Sequence, residues 1–306
     1  MNISPEIISL IGEIKNDRTH GASQLARQAA EVLRVAAERS RAGSTAQFWR
    51  EQQAIGDKLM SIRPAMAPIF NIVSGLLDSV GEKAKTADLD GLRQMVITEA
   101  DKAVKASLQA VAQIAEHSAK LIAGGDRIMT HSYSSTVVAA LKEAFTRHGN
   151  IEVITTRSGP GRTGAKLAQE LSLCGIPVTF IDYAAAWLHL PTVNIVVVGA
   201  DRVCVDGRVV NGIGTCLLAM AAERAGVPFY VLGETLKFDP RVRSDEVDLE
   251  EQEVSEAVEP GRLPPGVMVS TPAFDITPLE LVTGVVTENG LLRPEKVIVY
   301  LQKRSV

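Results

Sequence analysis

The chain is expected to be an α/β protein, with a helical domain over residues 1–123 and a parallel-sheet domain over 124–306. Three observations lead there. The length, 306 residues with 46% hydrophobic and 22% charged, suits two cores better than one. The composition is split: residues 1–130 hold only Phe48, Trp49 and Phe70 among the aromatics, and three of the 14 prolines. The hydrophobic period also changes, from about 3.6 residues in the first part to short continuous apolar runs in the second.

In Ala22–Arg41, the residues Leu25, Ala29, Val32, Leu33 and Ala36 recur at helical spacing. Ser23 is a candidate cap for that helix. Arg63-Pro64 and Pro68 mark a break between helices. Leu89–Ile122 reads as one long Ala-rich helix, with Val104, Leu108, Val111 and Ala115 on its apolar face and Gly124-Gly125 ending it. Beyond it, apolar runs at Ile128–Thr130, Ile151–Thr155, Val178–Ile181, Ile195–Val198 and Phe229–Leu232 alternate with helical stretches at Ser135–Arg147, Gly164–Leu173 and Ile213–Ala225. That alternation predicts a parallel sheet covered on both faces. Such sheets bind ligands at the carboxyl ends of their strands, so the chemistry is sought there.

Charge and cysteines exclude several classes. A net charge of −4 argues against direct nucleic-acid binding. No apolar run is long enough for a membrane helix, and the N-terminus lacks a signal-peptide pattern. Cys174, Cys204 and Cys216 show no CxxC spacing, so neither a disulfide framework nor a metal site is expected, and a cytoplasmic location follows. The segment Asp245–Glu259 carries eight acids and no base. It reads as a solvated loop or exposed helix, or as a docking surface for a basic partner.

Several strand ends carry candidate site residues. Gly159-Pro-Gly161-Arg162-Thr-Gly164 matches GxGxxG, and Asp182 ends the next strand. This fits a phosphate cradle, a dinucleotide loop or a plain turn. Pro160 lacks an N–H donor, and Arg162 offers a cation to a single phosphate. Thr130-His131-Ser132-Tyr133-Ser134-Ser135 lies where a strand becomes a helix. His131 there is a candidate base or a buried structural residue, and Ser134 and Ser135 are cap or phosphate-binding hydroxyls. Asp201 follows a fully apolar strand, where partial desolvation would suit it to acid–base work. Asn211-Gly-Ile-Gly-Thr215 opens a helix and is a further anion-site candidate, and Lys237 can reach the same crevice.

Taken in order, Asp17-Arg-Thr-His-Gly-Ala-Ser-Gln-Leu-Ala-Arg27, Arg63-Pro64, Thr130–Ser134, Gly199-Ala-Asp201, Asn211–Thr215, Lys237-Phe238, Phe274–Pro278 and Glu288-Asn-Gly290 resemble one family. It unites the α, β and δ subunits of translation initiation factor 2B with methylthioribose-1-phosphate isomerase and ribose-1,5-bisphosphate isomerase. The resemblance implies a helical N-terminal domain, a Rossmann-like C-terminal domain and homo-oligomers. For the isomerases it implies catalysis by a Cys after the motif's His, together with the Asp of Gly-Ala-Asp. Here those positions are Ser132 and Asp201, with His131 beside them. Phosphate or substrate binding is implied for Gly21, Ala22, Arg63, Ser134, Ser135, Gly161, Arg162, Asn211 and Lys237.

Ser132 departs from the catalytic Cys, and a hydroxyl cannot replace a thiolate without a base to activate it. Gly212 stands where many members have Lys, and Gly159 where many have Arg. Arg157 or Arg162 is a candidate replacement for the latter. The His-Ser-Tyr-Ser wording is closer to the regulatory subunits. The leading expectation is therefore an initiation-factor-2B-like regulatory protein that binds a sugar phosphate or nucleotide, as a homo-oligomer and with a protein partner. The alternative is an aldose–ketose phosphate isomerase, with a nicotinamide-dependent oxidoreductase as the distant one. No cofactor is expected in the first two.

Overall fold

A computed structural model describes residues 3–158, 163–252, 263–264 and 266–304. Helices α1 (Pro5–Asn16), α2 (Ala22–Arg39), α3 (Thr45–Ser61), α4 (Ala67–Gly81) and α5 (Leu89–Ala119) come first. Their starts follow from local chemistry. Ser4, Ser44 and Asp88 accept hydrogen bonds from the backbone N–H groups of Ile7, Gln47 and Gly91. Helix α2 begins differently: Gly21 is its N-cap and no side chain caps it. Ser23 sits buried inside the first turn with its hydroxyl unpartnered, which corrects the expectation that it caps the helix.

Leu25, Leu33, Phe48, Ile55, Leu59, Leu92 and Val96 fill the helical core. The buried face of α5 overlaps the expected one only in part. It runs through Leu92, Val96, Ala100, Ser107, Ala110, Ile114 and Ala115, with Val104 half-buried beside them, while Leu108 is 54% exposed. Small residues face inward because α2, α4 and α6 pack closely on this helix.

The sheet strands are β1 (Arg127–Thr130), β2 (Glu152–Thr156), β3 (Val178–Ile181), β4 (Ile195–Val198), β7 (Phe229–Leu232), β10 (Gly284–Thr287) and β11 (Gly290–Leu292). They lie in the order β11-β10-β7-β4-β1-β2-β3, and only β11 is antiparallel. Helices α6 (Ser135–His148), α7 (Thr163–Leu173), α8 (Ala186–His189), α9 (Thr215–Ala225) and α10 (Pro294–Arg304) accompany them. The order reverses direction between β1 and β4, the switch point where doubly wound sheets form a crevice. A second sheet, absent from the sequence reading, has the order β8-β5-β6-β9, from β5 (Arg202–Cys204), β6 (Val209–Gly212), β8 (Phe238–Asp239) and β9 (Phe274–Thr277). Its residues Cys204, Val210 and Phe274 join the helical core, so this small sheet ties the helices to the crevice. Among the described residues, no helix is long and apolar enough to cross a membrane.

One position shows why glycine is needed in the loop after β2. A Cβ on Gly164 would lie 1.8 Å from the Thr156 carbonyl oxygen, so α7 can approach β2 only without a side chain there. The last glycine of the GxGxxG run thus serves helix–strand packing. Gly161 and Arg162 lie outside the described residues.

Candidate functional site

The crevice opens over the carboxyl ends of β1 and β4 and is lined from the helical half by residues before α2 and after α3. Its larger part is lined by Asp17, His20, Arg63, Ser132, Asp201 and Glu250, among others. A smaller recess next to it is lined by Gly21, Ala22, Ser134, Ser135, Asn211 and Lys237, with Asp201 shared between the two. Residues expected to act together, and drawn from six separate segments, are therefore neighbours.

Asp201 leaves β4 into this space and is 9% exposed. Burial pushes its carboxyl up to about 6, although Lys237 and Arg63 nearby favour the anion. Lys237 is itself buried, which lowers its pKa against the pull of Glu234 and Asp201. Glu234 accepts a hydrogen bond from Ser107 at 2.8 Å, and Ser107 accepts one from Arg27 at 3.1 Å, so the lysine rests on a chain of buried polar groups.

Arg63 follows α3 and is 6% exposed. Its Nε donates to Glu250 Oε2 at 2.9 Å, and Nη1 donates to the Asp17 carbonyl at 2.8 Å. Glu250, at φ 52°, also accepts from the Ala65 N–H at 3.3 Å. The acidic segment is thus not simply a solvated loop. Glu250 reaches into the crevice, and Glu251 accepts from Thr271 N–H at 2.6 Å. Residues 253–259 of that block lie outside the described residues.

Ser132 lines the crevice at φ 64°, a strained conformation of the kind that collects at binding sites. Its hydroxyl lies 3.3 Å from Thr163 Oγ1, and no described base contacts it. A Cβ on Gly212 would stand 2.7 Å from Ser132 Oγ, so the missing lysine and the serine occupy touching positions. Ser134 caps α6 by accepting from Val137 N–H at 3.3 Å.

Several expectations are corrected. His131 is 1% exposed, with Nδ1 2.6 Å from Thr156 Oγ1 and Nε2 2.8 Å from the Ile213 carbonyl. The carbonyl can only accept, so Nε2 carries the proton and Nδ1 takes the threonine hydroxyl's. Both nitrogens are occupied, burial lowers the pKa to about 4, and no nitrogen is free to act as a base. The start of α9 is not an open anion site either. Asp275 Oδ2 accepts from the Gly214 and Cys216 N–H groups at 2.7 and 3.1 Å, so the chain fills it with its own carboxylate. Asn211 donates instead to Thr215 Oγ1 at 3.0 Å. Arg157 points to Asp182 at 4.0 Å, and Asp182 caps the next turn by accepting from Ala184 N–H. Neither lines the crevice, so Asp182 lends no support to a nicotinamide site there, while residues 159–162 of the GxGxxG run lie outside the described residues. None of the three cysteines lines it.

Residues within two of the motifs noted in the sequence, at 17–23 and 130–135, complete the site together with Lys166, which the sequence reading did not single out. Asp17 Oδ2 is 2.6 Å from His20 Nδ1, and Lys166 donates to the Thr19 carbonyl at 2.6 Å while lying over the Tyr133 ring.

The model of the Initiation factor 2 subunit family matches residues 18–294. The chain belongs to this family. It is 34% identical to ribose 1,5-bisphosphate isomerase of Thermococcus kodakarensis, across 99% of this chain and 96% of that protein. Translation initiation factor eIF-2B of Pyrococcus horikoshii superposes with a TM-score of 0.83 at 31% identity, over 97% of this chain and all of that one. For 5-methylthioribose 1-phosphate isomerase of the same organism the TM-score is 0.80 at 25% identity, over 97% and 88%. Proteins named as isomerases and as initiation factors are thus both similar to this chain over nearly its whole length.

Proposed function

We propose that this protein is an aldose–ketose phosphate isomerase acting on a ribose 1-phosphate compound, of the ribose-1,5-bisphosphate type. One observation carries the reading: Asp201 is buried at the switch point beside Lys237 and Arg63, and burial pushes its carboxyl up to about 6. A group poised there can both give and take a proton. Lys237 and Arg63 provide the positive charge that phosphate oxygens need, and Gly21, Ala22, Ser134, Ser135 and Asn211 shape the recess beside them.

The chemistry of such a substrate sets the steps. Asp201 gives its proton to the ring oxygen as the bond from C1 to that oxygen opens. A second group takes the proton from C2, and the electron pair of that C–H bond forms the C1–C2 double bond. Reprotonation at C1, with loss of the C2 hydroxyl proton to Asp201, yields the ketose and restores the acid. One hydrogen has moved from C2 to C1, and nothing else is consumed.

Incubation with ribose 1,5-bisphosphate and with methylthioribose 1-phosphate, followed by NMR, tests the reading. Ketose should form, and Asp201→Asn should abolish it while ligand-induced thermal stabilisation remains. No ketose from either compound would overturn it. A second reading is favoured by Ser132, which stands without a thiol or an adjacent base: a binder of sugar phosphate or nucleotide with a regulatory role in translation and a protein partner. Stabilisation by ligand without turnover would favour that role. A homo-oligomer suits both readings, because Trp187, Leu188, Leu217 and Met220 on α8 and α9 expose apolar surface. Light scattering would check it.

A further inference from the structure

The isomerase reading requires a second proton-transfer group, and the thiol that relatives of this type would use is absent at Ser132. The charged or titratable side chains around the crevice are Asp17, Arg18, His20, Arg63, Tyr133, Asp201, Glu250, Glu251 and Lys237. Most are unsuited to take a proton from carbon near neutral pH. Arg63 and Glu250 are paired with each other, Glu251 is held by Thr271, Tyr133 donates its hydroxyl to Glu170 at 3.0 Å, Arg18 is a cation, and Lys237 is buried in the side recess beside Asp201. Among the described residues only one imidazole lines the crevice, that of His20.

We propose that His20, oriented by Asp17, is the second proton-transfer group of this crevice and takes the place of the missing thiol. The inference rests on the isomerase reading and names the group that reading leaves open. The geometry is that of a carboxylate–imidazole pair. Asp17 Oδ2 meets His20 Nδ1 at 2.6 Å, which places the neutral ring's proton on Nδ1 and leaves Nε2 with a free lone pair. No described group is hydrogen-bonded to Nε2, and the side chain is 31% exposed within the crevice lining.

Asp17 is well fixed for this task. Its Oδ1 accepts from the N–H groups of Thr19 and His20 at 2.7 and 2.9 Å and from the Thr19 hydroxyl at 3.0 Å. Burial alone would raise its pKa, but the hydrogen bonds from His20 and Thr19 outweigh that and hold it at about 2. The loop itself is pinned on two sides, by Arg63 on the Asp17 carbonyl and by Lys166 on the Thr19 carbonyl. The charged and titratable groups that line the crevice with His20 are Asp17 and Arg18 on its own loop, Arg63 after α3, Tyr133 after β1, Asp201 after β4, and Glu250 and Glu251 from the acidic segment, with Lys166 of α7 on the neighbouring Thr19 carbonyl.

The proton path then closes. Nε2 accepts the C2 proton and becomes imidazolium, its charge offset by Asp17. The same proton, or one exchanged from water, returns to C1. Asp201 serves the ring oxygen and the C2 hydroxyl, so each group ends as it began.

Steady-state isomerisation of ribose 1,5-bisphosphate by wild type, His20→Gln, His20→Ala and Asp17→Asn tests this. His20→Gln should lower kcat by about 10²–10⁴-fold, with KM within threefold and the melting temperature near wild type. Added imidazole should restore part of the activity of His20→Ala, which a structural role would not allow. In Asp17→Asn the amide N–H would face Nδ1 and move the ring proton to Nε2, so kcat should fall at least tenfold with the loop intact. 15N NMR of the wild type reads the tautomer without any variant: a protonated Nε2 with a bare Nδ1 would overturn the proposal even if the variants fail to fold. A His20→Gln variant of undiminished kcat overturns it while leaving the isomerase reading in place. A wild type that forms no ketose overturns both.

Discussion

Replacing Asp239 by Ala should destabilise the protein far more than removing an exposed ion pair, because Asp239 anchors the segment that delivers Arg63. Asp239 is fully buried and pairs with Arg202 and with Arg241 Nε at 2.9 Å. Arg202, 5% exposed, also donates to the carbonyls of Pro64 and Ala65, next to Arg63. Removing the carboxylate leaves a buried guanidinium without its counter-charge, a loss of about 3–5 kcal/mol. A chain of this length unfolds with an entropy of about 0.64 kcal/mol/K, at roughly 2.1 cal/mol/K per residue. The melting temperature should therefore drop by about 5–8 °C. The exposed Arg39–Glu6 pair is the control: Glu6→Ala should cost about 0–1 kcal/mol, or at most about 2 °C. Differential scanning calorimetry of both variants decides it, and binding of ribose 1,5-bisphosphate should weaken in Asp239→Ala as the Arg63 segment loosens. Equal, small shifts for the two variants would refute the reasoning.

Three further outcomes are expected. The folded protein keeps the Asp201 proton up to about pH 6, whereas an unfolded chain loses it near about 3.9, so folding takes up a proton in that window and stability falls as pH rises through it. Asp201→Asn avoids this and should be more stable than wild type by on the order of 2–3 kcal/mol at pH 7.5, with the gain gone near pH 3.5; a gain independent of pH in chemical denaturation would contradict it. Glu250→Gln removes the anion that occupies Arg63 and should tighten inorganic phosphate binding by about threefold to tenfold in calorimetry, and weaker binding would show that Glu250 assists the ligand. Gly164→Ala drives a methyl group into the Thr156 carbonyl and should cost about 1–3 kcal/mol, read as a lower urea midpoint.

The parallel sheet was legible where burial on both faces made strands continuous and apolar. Val178–Ile181, Ile195–Val198 and Phe229–Leu232 coincide with their expected bounds at both ends. The second sheet was not legible, because its strands are only two to four residues long and pair segments far apart in the chain, as β6 does with β9. The buried face of α5 was only partly legible, through Ala115 and Val104, since other inward positions are small residues, Ala100, Ser107 and Ala110, that carry little hydrophobic signal.

The site divides in the same way. Its residues were legible as motifs at strand ends, and the topology gathers Arg63, Asp201, Asn211 and Lys237 around one crevice. What each side chain does depended on neighbours that only folding supplies. His131 resembles a base until Thr156 and Ile213 take both ring nitrogens, and the α9 terminus resembles an anion site until Asp275 fills it. Glu250 belongs to an acidic block whose charge gave no hint that one member reaches Arg63.

The central claim is that this crevice isomerises a sugar phosphate by moving a proton between C2 and C1. Conversion of ribose 1,5-bisphosphate in D₂O tests it most directly. The partly exposed His20 should exchange its proton with solvent, so NMR of the ketose should show deuterium at C1, and Asp201→Asn should yield no ketose. No ketose from the wild type, or ketose formed undiminished by Asp201→Asn, would contradict the account.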